Sequence, residues 1–163
     1  MNRILVTHAQ RVATLLLQRK ETVAVSESST GGLLTAALLA VPGASAYCLG
    51  GMVLYTRQAW RALRDFDDAL LKSARSATEA NALLRAEAVR ERFGATWGVG
   101  ETGAAGPAGN RYGDPAGHTC IAVAGPVRSA LTVRTNRSAR VENMNAFAEA
   151  ALKHLEEVLS RKP

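Results

Sequence analysis

The sequence predicts an α/β fold, a three-layer α/β/α sandwich around a mixed, mostly parallel sheet. Short β-branched, apolar runs alternate with amphipathic stretches in the first hundred residues, as in parallel strands joined by crossover helices. Two strand-like runs then follow each other near the end, which predicts one antiparallel hairpin. The 163 residues have the size of one domain and contain no linker or repeat. We therefore expect a single domain over residues 1–163.

Each predicted element follows from apolar periodicity and from the turn residues that bound it. A capping box at Ser76–Glu79 opens one helix, and Gly94 closes it. The run from Thr102 to Gly117 is too rich in Gly and Pro for regular structure, and such long loops are usually functional or mobile. The predicted helices are Val6–Arg19, Leu33–Ala40, Arg57–Leu63, Asp67–Lys72, Ser76–Phe93 and a long C-terminal helix that includes Val141 and Val158. The predicted strands are Thr22–Ser26, Tyr47–Tyr55 (also buried), Ala95–Glu101, His118–Ala124 and Ala130–Thr135.

The composition is that of a globular domain, with 47% hydrophobic and 21% charged residues. The net charge is +6, but acids and bases interleave, as in Arg85–Arg92, so no basic stripe indicates nucleic-acid binding. Ser28–Thr56 carries no charged residue and is long enough to cross a bilayer. Pro42 and Gly43 interrupt it, so we expect a helix, a turn and a strand there and no membrane association.

The cysteines and histidines predict no metal site. Cys48 and Cys120 lie far apart in apolar stretches, and His8, His118 and His154 lack the spacing of metal ligands. We expect buried free thiols, which fit a reducing cytoplasm. The N-terminus has no apolar core of a signal peptide.

The turn Ser28–Gly32 lies between a predicted strand and a predicted helix. It could hold a phosphate on free helix N–H groups, or present a serine nucleophile beside donors for an oxyanion. The alternative is a simple helix cap by Ser29 or Thr30. A second Gly-rich turn, Thr102–Pro107, also follows a strand, and ligands of open α/β sheets bind at the carboxyl ends of strands.

Five segments match, in order and in spacing, the motif series of one family. They are Glu27–Gly32 (ESSTGG), Val41–Ala46 (VPGASA), Gly50–Tyr55 (GGMVLY), Thr102–Gly109 (TGAAGPAG) and Asp114–Gly117 (DPAG). In this series the sequence resembles the CinA C-terminal domain family, which includes nicotinamide-nucleotide amidases. The resemblance covers nearly the whole chain.

The resemblance implies the three-layer fold and, in active members, deamidation of nicotinamide mononucleotide to nicotinate mononucleotide and ammonia. Those members use a Ser/Lys dyad without a metal or other cofactor. It also implies a small-molecule nucleotide ligand and a homo-oligomer, for which the uncharged Leu33–Tyr55 region could supply part of an interface.

The same resemblance assigns the site residues. Ser28 takes the nucleophile position, and Ser29 stands where many members have Cys. The N–H groups of Thr30–Gly32 or of Gly103–Ala105 would be oxyanion donors, and Arg137 could fork onto a phosphate. The catalytic positions are Ser28, Tyr55 and Thr102, and the ligand-binding positions are Ser29, Thr30, Gly31, Gly32, Ser45, Gly103, Ala104, Gly106 and Arg137.

Two family lysines are replaced in this sequence. The lysine of the dyad follows the strand-ending Tyr55 at a fixed interval, and Trp60 stands at that place. Asp114 replaces a second lysine, before the Pro-x-Gly motif. The neighbouring Arg61 stays protonated and cannot accept a serine proton at neutral pH.

Three residues could replace the missing base: His118, Glu27 and Lys72, of which His118 titrates nearest neutrality. Two hypotheses therefore stay open at the level of the sequence. One is an amidohydrolase with Ser28 as nucleophile. The other is a nucleotide-binding or interaction protein that keeps the fold after losing the base.

Overall fold

A five-stranded mixed sheet forms the centre of the molecule, whose computed structural model describes residues 2–63, 69 and 73–161. The strands are β1 Val23–Glu27, β2 Cys48–Val53, β3 Trp97–Ala104, β4 His118–Ala124 and β5 Arg128–Arg134, in the order β2-β1-β3-β4-β5. β1 pairs in parallel with β2 and β3, whereas β3–β4 and β4–β5 are antiparallel. Four of these five strands therefore point the same way, and the predicted late hairpin is β4–β5.

Helices cover both faces of the sheet. They are α1 Arg3–Arg19, α2 Leu33–Leu39, α3 Arg57–Arg61, α4 Glu79–Phe93 and α5 Arg140–Arg161. The main core joins α1, α2 and α5 to one face of the sheet, and α4 packs on the other face. The predicted three-layer α/β/α sandwich is confirmed. No helix among the described residues is long and apolar enough to cross a membrane.

The two faces of the sheet pack with side chains of different size. Leu, Val and Trp side chains fill the core under α1, α2 and α5. Under α4 the sheet presents alanines and glycines, and a Cβ at Gly100 would lie 2.7 Å from the backbone nitrogen of Ala86. The helix therefore lies directly against the strand backbone, which is how an Ala-rich chain with 5% aromatic residues fills this layer.

The sequence places the end of β3 too early. The strand continues through Thr102, Gly103 and Ala104, because β4 offers each of them an antiparallel partner. These three residues therefore belong to the sheet, and the irregular Gly-rich loop begins at Ala105. The end of β3, which sequence composition assigns to a loop, is thus held rigidly.

Two local predictions are wrong. α4 has Thr78 and not Ser76 at its N-cap, with the Thr78 hydroxyl accepting the Asn81 N–H at 3.2 Å. Ala77 precedes it at a φ of 59°, and its N–H donates to the Thr102 hydroxyl, so the helix cannot start earlier. β2 is an edge strand with alternating exposure and is not fully buried. The predicted helical piece Asp67–Lys72 lies, apart from one residue, outside the described residues.

Candidate functional site

The two Gly-rich segments lie at the same edge of the sheet. Ser26 of β1 pairs in parallel with Gly100 of β3, so the residues after both run toward the same edge of the sheet. Ser28 and Thr102 each follow two residues later. Parallel pairing thus brings the predicted nucleophile position next to the predicted second turn, as the sequence indicates.

A buried carboxylate, Glu101 of β3, occupies the centre of the Ser28–Thr30 turn. Its oxygens accept the N–H groups of Ser28 and Thr30, each at 3.0 Å. The hydroxyls of Ser29, Thr30 and Thr119 donate to the same carboxylate. Five donors therefore surround an anion that belongs to the protein itself.

A second carboxylate, Glu27, caps the first turn of α2. It accepts the N–H groups of Gly32 at 2.9 Å, Leu34 at 3.1 Å and Thr35 at 2.8 Å, and also the Thr35 hydroxyl. An acid at a helix N-terminus satisfies the free N–H groups and complements the helix dipole. The cap is thus supplied from the end of β1, and not by Ser29 or Thr30 as the alternative interpretation expects.

The expected cradle of free N–H groups is therefore wrong for Thr30–Gly32. Thr30 donates to Glu101 and Gly32 to Glu27, while the Gly31 N–H lies 3.3 Å from the Ser28 carbonyl. The physical reason is that a positively polarised turn attracts any anion within reach, and two glutamates of this chain are within reach. The N–H groups of Thr30, Gly31 and Gly32 are therefore not open to a phosphate or an oxyanion.

The Ser28 hydroxyl has no hydrogen-bond partner among the residues that the structure describes, and the side chain is almost fully buried. The proposed substitute Glu27 is used by α2. His118 Nε2 donates to the Ala77 carbonyl at 2.9 Å, and His118 lies on β4, two strands away from β1. Lys72 lies outside the described residues. No described side chain therefore accepts a hydrogen bond from the Ser28 hydroxyl.

Trp60, at the position of the family lysine, is buried against a buried arginine. The guanidinium of Arg85 lies over the Trp60 ring, 4.7 Å from its centroid. Arg85 donates through Nε to Asn81 at 2.9 Å and through Nη1 to the Leu54 carbonyl at 3.2 Å. Burial lowers the pKa of Arg85 to about 10, and the charge of Glu101 acts in the opposite direction. Arg85 therefore remains a cation at neutral pH.

Tyr55 lies exposed at the mouth of the site and contacts an arginine that sequence reasoning misses. Arg140 donates to the Tyr55 hydroxyl at 2.9 Å and to the Gly106 carbonyl at 2.7 Å. The predicted Arg137 has no side-chain hydrogen bond within the described part of the chain. The cation that joins Tyr55 to the Gly-rich loop is therefore Arg140, three residues further on.

The remaining predicted residues divide between the site and the rest of the sheet. The Thr102 hydroxyl is used as an acceptor by Ala77, and Ala104 is buried. A Cβ at Gly103 would lie 2.6 Å from the His118 carbonyl, so this glycine serves strand packing. The structure does not bring Ser45 to this site, because Ser45 precedes β2 at the opposite edge of the sheet, where the Val23 N–H donates to the Tyr47 carbonyl.

Two site residues carried a signal that sequence reasoning missed. Glu101 is a lone acid inside a buried strand, and a buried carboxylate needs donors around it. Arg85 falls between Ala82, Ala86 and Val89 on the apolar side of α4. A charged residue on an apolar helix face indicates a buried polar contact. Among the described residues, no group of three acidic, His or Cys side chains could hold a metal ion.

An ion pair fastens the Gly-rich loop to the segment before α4. Arg75 donates to both oxygens of Asp114, at 2.5 and 3.2 Å, and its guanidinium lies 5.5 Å from the Tyr112 ring. Asn110 also donates to Asp114, at 2.8 Å. The Arg75 hydrogen bond, together with Asn110 and His118, lowers the pKa of Asp114 to about 2. Asp114 thus serves this loop in place of a family lysine.

Removing Arg75 should raise the pKa of Asp114 toward its ordinary value near 4. Because the folded-state pKa lies below the unfolded one, the stabilisation by this carboxylate is complete above about pH 4 and is lost as the pH falls toward 2. A carboxyl carbon NMR titration of wild type and Arg75→Gln measures the change. An unchanged Asp114 titration in the variant would mean that Asn110 and His118 alone hold the carboxylate.

Comparison with known sequences agrees with this architecture. The sequence model described as CinA C-terminal domain matches residues 5–159. This chain belongs to the CinA C-terminal domain family. A CinA-like protein of Chlorobaculum tepidum is 40% identical over 155 residues, covering 92% of this CinA domain and 37% of the relative. One of Prochlorococcus marinus is 43% identical over 118 residues, covering 72% of this chain and 28% of the relative. The CinA domain thus spans well under half the length of these curated relatives.

Solved structures have the same fold as this CinA domain. A competence-damaged protein (CinA) superfamily protein from Klebsiella pneumoniae gives a TM-score of 0.89 at 25% identity, covering 99% of this chain and 100% of that one. The competence/damage inducible protein CihA from Agrobacterium tumefaciens gives 0.88 at 28% identity, with 99% and 98% covered. The similarity to both structures extends over the whole domain.

Proposed function

We propose that this CinA domain binds a small nucleotide at the carboxyl edge of its sheet without the turnover of a Ser/Lys amidase. The observation that carries the proposal is that Ser28 lacks a base while the surrounding cations and aromatic rings remain. Trp60 stands in place of the catalytic lysine, and Glu101 and Glu27 accept N–H groups that an oxyanion would need. Tyr55, Arg140 and the loop at Gly106 keep a binding surface.

The support for binding is the arrangement around Arg140. Its side chain is held between the Gly106 carbonyl and the Tyr55 hydroxyl, and the guanidinium lies 5.9 Å from the Tyr55 ring. A fixed guanidinium suits bidentate contact with a phosphate. The exposed ring beside it offers a surface on which a base can stack. A phosphate and a flat heterocycle are the two parts of a mononucleotide.

The argument against efficient hydrolysis is the size of the loss in turnover that follows when the base is missing. A serine hydroxyl without a base is a weak nucleophile. In well-characterised serine hydrolases, loss of the base costs about as much as loss of the nucleophile, roughly a million-fold in turnover. The turn also has no open N–H donor at Thr30 or Gly32 for an oxyanion.

The experiment combines binding and turnover on the same samples. Calorimetry should detect saturable binding of nicotinamide mononucleotide, and ammonia release should be equally low in wild type and Ser28→Ala. Arg140→Gln should weaken binding about tenfold, because a charge-assisted hydrogen bond to phosphate is lost. Arg11→Gln, on the exposed side of α1, is the matched control and should bind as wild type does.

Two results would contradict the proposal. Absence of binding to a panel of mononucleotides would remove the ligand-binding function. Ammonia release by wild type far above that of Ser28→Ala would make the domain an active amidohydrolase, with a base supplied from outside the described residues.

A further inference from the structure

We propose that Arg85 is the anion-recognition residue of this site and that it selects ligands whose ring carries a carboxylate over those with a neutral carboxamide. The inference deepens the proposed function and rests on it for the position of the nucleotide. It assigns a role to a residue that lies at the base of the site and outside the motif series of the family.

The first argument is the missing counter-ion. Arg85 is 3% exposed, yet no described carboxylate lies within ion-pair distance of it. Its hydrogen-bond acceptors, Asn81 and the Leu54 carbonyl, are both neutral. Glu101 acts on Arg85 through its charge, but five other donors occupy the Glu101 oxygens. A buried charge without a partner is costly, so a cation kept in this way is suited to an anion that arrives from solution.

The second argument is the position of the guanidinium. The Arg85 Cβ lies over Gly100 of β3, and Gly100 pairs with Ser26 of β1. The side chain ends at the Leu54 carbonyl, and the Leu54 N–H donates to the Glu27 backbone carbonyl at 2.8 Å. Arg85 therefore crosses the end of β1, immediately before Ser28. An anionic group on Arg85 would therefore lie close to Ser28.

The third argument is the free end of the side chain. Nε and Nη1 have acceptors, whereas Nη2 has none among the described residues. The Trp60 ring covers one face of the guanidinium, and Nε and Nη1 donate within the protein, so Nη2 supplies the donors that are left in the plane. A planar guanidinium with open donors in its plane matches the two oxygens of a carboxylate.

The chemical consequence is a preference between two isosteric ligands. A carboxamide and a carboxylate have the same shape, but only the carboxylate accepts on both of its atoms and carries the opposite charge. A charge-assisted contact of this kind changes affinity by about tenfold to a hundredfold. The site would therefore bind the product of the family reaction more tightly than its substrate.

The test compares acid and amide in two ligand pairs. Calorimetry measures the dissociation constants of nicotinate mononucleotide and nicotinamide mononucleotide, and NMR titration measures those of free nicotinate and nicotinamide. We expect wild type to prefer the acid at least tenfold in each pair that binds. Arg85→Met, which keeps the length and apolar packing of the side chain, should bring the ratio close to one. Arg85→Lys should restore part of the preference.

The outcomes separate this inference from the proposed function. Equal binding of acid and amide by wild type would overturn the role of Arg85 and leave nucleotide binding intact. Preference for free nicotinate without any nucleotide binding would support the role of Arg85 and contradict the proposed binding of a nucleotide. No binding in either pair would overturn both. A folded Arg85→Met protein with the wild-type ratio would also overturn the inference, since the selectivity would then come from another residue.

Discussion

Replacing Glu101 with alanine should lower the free energy of unfolding by about 4 kcal/mol or more, the largest effect that we expect from any single side chain. The variant leaves five donors of the Ser28–Thr30 turn and Thr119 without their acceptor. The two N–H groups cannot turn away, and an unsatisfied buried donor costs about 1–3 kcal/mol. The emptied space adds the cost of a cavity.

Urea unfolding and thermal unfolding measure this loss, which corresponds to a fall in Tm of about 8 °C or more for a domain of this size. Glu101→Gln keeps the shape but replaces one acceptor by a donor, so it should cost less than the alanine variant. Glu156→Ala is a control at a partly exposed carboxylate that pairs with His8 and Arg11, and it should cost under about 1 kcal/mol. A loss for Glu101→Ala no larger than that of Glu156→Ala would mean that water replaces the carboxylate.

The architecture was predictable because it depends on patterns that are local. Leu5, Ala9, Val12 and Leu16 share one side of α1, and this spacing indicates a helix with one buried face. The predicted bounds of strand β4 agree with the structure at both ends, because every residue from His118 to Ala124 is buried and apolar or small residues dominate the run. The error at β3 has a different origin. Thr102–Ala104 has loop composition, and only the pairing with β4, distant in sequence, makes it a strand.

The site was predictable in its location but not in its content. The order of strand, polar turn and helix places Ser28 at the sheet edge, and the parallel pairing of β1 and β3 confirms that placement. The sequence does not indicate that Glu27 turns back onto α2 or that Glu101, 73 residues away, binds the Ser28 N–H. An acid beside a serine is equally compatible with a base, a cap or a solvated side chain. Only the packing distinguishes these roles.

Trp60 and Arg85 illustrate the same limit. The sequence identifies Trp60 as a departure from the family pattern, because position in a motif is a local property. That its ring stacks on a guanidinium 25 residues further along depends on α4 packing against β1 and β3. The site therefore has a fixed cation close to where the family has an amine that can lose its proton. This difference changes the expected chemistry from proton transfer to anion binding.

Gly100→Ala should destabilise the domain by about 3 kcal/mol, the upper end of the usual cost of overpacking. The added methyl group would lie 2.7 Å from the Ala86 nitrogen, 2.9 Å from the Arg85 Cβ and closer still to the Ala82 carbonyl. Backbone atoms cannot rotate out of the way, so α4 must move off the sheet and carry Arg85 away from the Leu54 carbonyl. Unlike a change at Glu101, this one acts through the position of a helix.

Urea unfolding measures the cost, with Gly43→Ala as the matched control. A Cβ at Gly43 meets no atom within 4 Å, so only its left-handed φ of 81° opposes the substitution, at about 1–2 kcal/mol. Equal losses in the two variants would show that α4 can shift without strain. We expect a larger loss of unfolding free energy at Gly100, together with a weaker preference of the folded variant for acid over amide ligands. These two results would mean that the glycines of β3 determine how far the Arg85 side chain extends toward the end of β1. The small residues under α4 would then be part of the anion site, because they fix the distance between its cation and the end of β1.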